Sequence, residues 1–147
     1  MNKYKFEFEE LLNIKSQKED NIKNNLSKEN KILQEKKDTL NRIIELKKEE
    51  QNKFNNKGKT IKISDIEIFY DYIDKLEEKI TLQKNNIKIQ EKKVDNIRKH
   101  LVEISKEKQI LEKIKEEDLE YHKKEILYEE QKTNDEIVNY RYFVDNI

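Results

Sequence analysis

The sequence predicts an all-α fold, a two-helix antiparallel coiled-coil hairpin with a longer second helix, and three observations lead there. The 147-residue chain has one Gly and no Pro, so it lacks the punctuation that sheets and compact multi-element folds need. Charged residues make up 44% of it and hydrophobic ones 33%, against about 25% and 45–50% in ordinary globular chains. Such a chain can line a seam but not enclose a wide core. Its apolar residues nevertheless recur at alternating steps of four and three, the spacing of a coiled-coil face. Low hydrophobicity also suits disorder, but disorder goes with high net charge, and here 32 basic residues balance 32 acidic ones.

The first helix is expected over about residues 5–55. A seven-residue row runs Leu12, Glu19, Leu26, Leu33, Leu40, Lys47 and Phe54, supplemented by Phe8, Ile22, Ile43 and Ile44. A turn over about 56–64 follows from Asn55-Asn56-Lys57-Gly58-Lys59-Thr60, which joins amide residues tolerant of left-handed backbone to the only Gly. The second helix is expected over about 65–140. Ser64-Asp65-Ile66-Glu67 matches a capping box, with Ile63 and Ile68 placed as its hydrophobic staple.

From Phe69 the row is regular: Ile73, Leu76, Ile80, Gln83, Ile87, Gln90, Val94, Ile97, Leu101 and Ile104. A phase shift is expected near Lys108, with Leu111, Ile114, Tyr121 and Tyr128 continuing on a rotated stripe. Folding back at the turn opposes residues whose numbers sum to about 120, putting Leu40 near Ile80, Leu33 near Ile87, Leu26 near Val94 and Phe54 near Ile66. Helices of ~75 Å and ~110 Å at 1.5 Å per residue then leave an overhang. It is acidic, because Glu116–Ile147 holds 4 basic and 10 acidic residues. Phe69, Tyr70, Tyr72 and Leu76 crowd two turns, so they either cap the hairpin against Phe54, Ile63 and Ile66 or form a docking patch.

Several chemistries are excluded. One Gly cannot build a phosphate-binding loop. His122 with Asp118, Glu125 and Glu129, like His100, reads as solvated surface, because no HExxH spacing supplies a metal site. Catalysis needs a water-excluding cleft that two helices do not enclose, so neither enzyme activity nor a cofactor is expected. Lys interspersed with Glu argues against nucleic-acid binding. The absence of Cys suits a reducing compartment. No apolar run forms a signal peptide or approaches the ~20 residues of a membrane span, so a cytoplasmic protein is expected.

Three segments carry a resemblance to a known family: Tyr4-Lys5-Phe6-Glu7-Phe8-Glu9-Glu10-Leu11-Leu12-Asn13-Ile14-Lys15, Phe69-Tyr70-Asp71-Tyr72-Ile73-Asp74-Lys75-Leu76-Glu77-Glu78-Lys79-Ile80, and Leu119-Glu120-Tyr121 through Gln131-Lys132-Thr133-Asn134-Asp135-Glu136. Over nearly its full length the chain resembles the FliJ family, the stalk and escort proteins of the bacterial flagellar type III export apparatus.

The resemblance implies a non-enzymatic hairpin, monomeric alone and similar to the central stalk of rotary ATP synthases. Its terminal end would enter a hexameric export ATPase, a stripe on the second helix would contact the export gate, and the chain would escort export chaperones at the inner face of the cell membrane. It offers Phe8, Leu11, Leu12, Tyr121, Gln131, Asp135 and Glu136 as ATPase-binding positions. Tyr72 and Leu76 match the gate-binding stripe, from which Lys79 and Gln83 depart. The alternatives are a virulence type III secretion stalk and a generic scaffold, a parallel dimer of one long helix.

Overall fold

A computed structural model describes residues 3–58 and 61–146. Its helices are α1, Glu9–Asn55, and α2, Ile63–Asp145, and no strand occurs among the described residues. The fold is the expected two-helix hairpin with a longer second helix. The chain's interruption between α1 and α2 sets aside the single continuous helix of the scaffold alternative.

α1 starts at Glu9 instead of near residue 5. Phe8 supplies its first α-type acceptor, the Leu12 amide donating to the Phe8 carbonyl at 2.9 Å, and the Glu9 amide reaches the Phe6 carbonyl at 3.2 Å. Glu9 and Glu10 occupy the first turn and Lys53 the last, where their charges oppose the partial charges of the helix ends. At the far end the Lys57 amide donates to the Phe54 carbonyl at 3.3 Å, tightening the final turn. Gly58 then takes φ 73°, the left-handed conformation open to Gly without a Cβ clash. Lys59 and Thr60, also assigned to the turn, lie outside the described residues.

The capping box expected at Ser64 does not form. α2 begins at Ile63, and the Lys62 carbonyl accepts the amides of Asp65 and Ile66 at 3.0 and 3.2 Å. Ser64 is therefore already a helical residue. The staple is absent too, since Ile63 and Ile68 are 77% and 67% exposed.

Two compact units can be distinguished. In unit 2, Asn21–Leu101, Ile73, Leu76, Ile87 and Val94 are buried along α2, each contributing about 1.5–3 kcal/mol relative to exposure. From α1 the whole row Leu26, Leu33, Leu40, Lys47 and Phe54 is at least half-buried. A second α1 row, Ile22, Glu29, Lys36, Ile43 and Glu50, completes the heptad pattern. Gln83 donates to the Lys36 carbonyl at 2.9 Å and Gln90 to the Glu29 carbonyl at 3.0 Å; the numbers in both pairs add to 119, one short of the expected register. At the turn end, Phe54 stacks on Phe69, with ring centroids 3.9 Å apart and planes 3° from parallel.

In unit 1, Met1–Asp20 with Val102–Ile147, Phe6, Leu12 and Leu111 form a small buried cluster with Tyr4 packed against it. The expected phase shift near Lys108 is absent. Ile104, Lys108, Leu111, Lys115, Leu119 and His122 keep facing inward, whereas Ile114, Tyr121 and Tyr128 are exposed by 39%, 63% and 67%. The seam continues through lysines. Lys108 lies 3.2 Å from the Glu19 carboxylate and Lys115 2.7 Å from Glu9, so the heptad persists where its apolar signal stops.

Candidate partner-binding surfaces

Within unit 1 the segment before α1 folds onto α2. Phe6 buries its ring, and the Tyr4 hydroxyl donates to Asp118 Oδ2 at 3.0 Å. The Tyr4 ring lies 5.3 Å from the His122 ring. Burial first, and then the hydrogen bond to the Asp118 carboxylate, raises the Tyr4 pKa, so this phenol stays protonated at neutral pH and continues to donate. The Lys15–Glu107 pair at 2.6 Å ties α1 to α2 further along.

Beyond His122 the inward-facing pattern ends. Every described residue from 123 to 146 is exposed although α2 runs on to Asp145. This stretch carries Ile126, Leu127, Tyr128, Ile137, Val138, Tyr140, Tyr142, Phe143 and Val144. Tyr128, Tyr140, Tyr142 and Phe143 alone are 66–71% exposed. At about 100° per residue the large apolar side chains of this stretch are spread around the helix and not confined to one stripe.

The candidate ATPase-binding residues all belong to unit 1. Tyr121, Gln131, Asp135 and Glu136 are exposed on α2, and Phe8 and Leu11 are each 40% exposed. Phe8 rests edge-on against Phe6, with centroids 5.8 Å apart. Leu12 differs: at 8% exposure it is part of the Phe6–Leu111 cluster and cannot meet a partner while the helices are paired. A hydrogen bond to Glu125 raises the Tyr121 pKa.

The candidate gate-binding pair divides in the same way. Tyr72 is 38% exposed, and Leu76, at 3%, is a seam residue. Together with Lys75, Glu78, Lys79 and Leu82 they line a surface hollow of about 280 Å³, so Leu76 borders that surface but offers it little area. Gln83 is turned toward the Lys36 carbonyl. Nearer the turn, Phe54, Ile61, Ile68, Phe69 and Tyr72 border a second hollow of about 370 Å³. Tyr70 packs edge-on against both stacked rings. Phe54, Phe69 and Tyr70 thus form the turn-end cap, and the exposed Ile63 takes no part in it.

Sequence reasoning missed Tyr4 and the glutamate–glutamine pair Glu29–Gln90. A non-helical Tyr preceding a Phe-rich start was the only available hint of the first. Among the described residues no His, Asp and Glu side chains group so as to hold a metal ion, and no helix is long and apolar enough to cross a membrane.

Neither curated proteins nor solved structures give a significant match. A protein-family comparison does: the sequence matches FliJ, described as "Flagellar FliJ protein", over residues 4–146. That span takes in both helices, the Tyr4–Phe8 segment and the exposed end of α2. The chain therefore belongs to the FliJ family and is a component of the flagellar export apparatus.

Proposed function

We propose that this protein is the stalk of the flagellar export ATPase. The exposed end of α2, with Phe8 and Leu11 at its base in unit 1, enters the pore of the ATPase hexamer. There it favours the assembled ring by mass action, because a ligand that binds only the hexamer stabilises it in proportion to its own saturation. Tyr72 and the surface beside it contact the export gate, and the chain escorts export chaperones. The family is one of structural and escort proteins, which suits a role exercised through surfaces rather than a pocket.

One observation carries this reading: residues 123–146 keep helical form while leaving large apolar side chains uncovered around the helix. A helix draws most of its stability from burying one face, so this stretch is built to be covered by something. A ring-shaped partner with a narrow bore can cover all sides of one helix at once. The test is to mix the folded chain with the cognate ATPase and measure hydrolysis and hexamer content. Both should rise; a folded chain that changes neither would refute the stalk reading.

A further inference from the structure

We propose that the glutamates set into the helix seam, Glu29 foremost, decide how α1 pairs: they select α2 of the same molecule, oppose the one-heptad slip that would set Glu29 against Ile97, and reject a parallel pairing with α1 of another copy. The apolar seam residues cannot make that choice. Leu26, Leu33 and Leu40 repeat every seven residues and would pack equally well against a partner slipped by one heptad, or against themselves in a parallel dimer.

Glu29 is different. It is 6% exposed, and its carboxylate accepts the Gln90 amide at 2.6 Å while Lys93 approaches at 3.3 Å. Gln90 is 5% exposed and has a second acceptor in the Glu29 carbonyl. The one-heptad slip that brings Ile43 opposite Gln83 breaks this arrangement, because it places Ile97 instead of Gln90 opposite Glu29. It leaves a buried carboxylate without its amide donor, and that penalty exceeds what a hydrogen bond contributes when made.

A parallel dimer of α1 is worse, because Glu29 would lie beside its own copy. Glu19, 7% exposed in unit 1, would do the same, forfeiting Ser105 at 2.8 Å and Lys108 at 3.2 Å. Like charges facing each other across a seam oppose association.

The chain has no Cys, so paired cysteines report register directly. K36C/Q83C reads the native register and I43C/Q83C reads a slip of one heptad. In an otherwise native background only K36C/Q83C should cross-link, within a monomer of about 18 kDa. Adding Glu29→Leu with Gln90→Leu should preserve helix content yet allow I43C/Q83C to cross-link or a dimer mass to appear in light scattering. Adding Glu29→Gln, which keeps a hydrogen-bonding group opposite Gln90, should leave the native pattern. The proposal falls if the double-leucine variant stays monomeric and in register, or if the unsubstituted chain already samples both registers. Loss of helix in the double-leucine variant also counts against it, because the pair is assigned partner choice and not the maintenance of helix.

Discussion

The Gln90 amide nitrogen donates to both the carboxylate and the main-chain carbonyl of Glu29, at 2.6 and 3.0 Å. A buried polar pair thereby sits in the seam between the apolar layers of Leu26, Leu33, Ile87 and Val94. That relationship makes the stability of the hairpin depend on pH.

The Gln90 hydrogen bond, helped by Lys93 and opposed by burial, holds the Glu29 carboxyl below its ordinary value of 4.5. With the folded-state pKa below the unfolded one, the stabilisation is fully present above the unfolded value and is lost as pH falls through the folded one. Thermal midpoints measured down to about pH 2 should decline below pH 4.5, and less steeply in Glu29→Gln. Lys108 has the opposite sign. Its hydrogen bond to Glu19 raises its pKa above 10.5, so its contribution is complete below that value and disappears as pH rises through the higher folded one.

Leu76→Ala and Tyr72→Ala should separate stability from binding. Truncating the buried leucine should cost about 2–4 kcal/mol in urea titration. Tyr72 is partly exposed, and its truncation should stay within about 0.5–1 kcal/mol while weakening capture of the export gate. Equal losses of stability in both variants would contradict the placement of Tyr72 at the surface.

Gly58→Ala tests the turn. No atom lies within 4 Å of the added Cβ, so sterics with the surroundings are not at issue, but φ 73° is strained for any L side chain. A destabilisation of about 1–2 kcal/mol is expected, read as a lower urea midpoint at an unchanged slope.

Hydrogen exchange should find the amides of residues 123–146 the least protected in α2, since stability there comes from helix propensity without packing. Binding to the ATPase should slow them. Removing the stretch after His122 should leave the thermal transition of the remaining hairpin within about 2 °C, a shift corresponding to well under 1 kcal/mol.

The sequence already revealed much of this architecture, because apolar heptads report a seam: the row from Leu12 to Phe54 and that from Phe69 to Ile104 face inward as expected. The rest was hidden wherever a seam position is polar. Glu29, Lys36, Lys108 and Lys115 give no hydrophobic signal, so the pattern read as broken at Lys108 although opposing carboxylates carry it on. Ser64 failed as a cap because the backbone enters the helix at Ile63, with the Lys62 carbonyl taking the first amides. Of the candidate site residues, Leu12 and Leu76 already stood in the seam rows, and both are buried there. The exposure of Tyr121 depended on the phase beyond Lys108, which only the opposing glutamates disclose.

The stalk assignment is tested most directly by placing a photoreactive phenylalanine derivative at position 128, in place of Tyr128, and irradiating the folded chain with its cognate export ATPase. The assignment predicts cross-links to pore-lining segments of the hexamer from position 128 and none from the same probe at Tyr72. Cross-links from position 72 with none from 128 would contradict it.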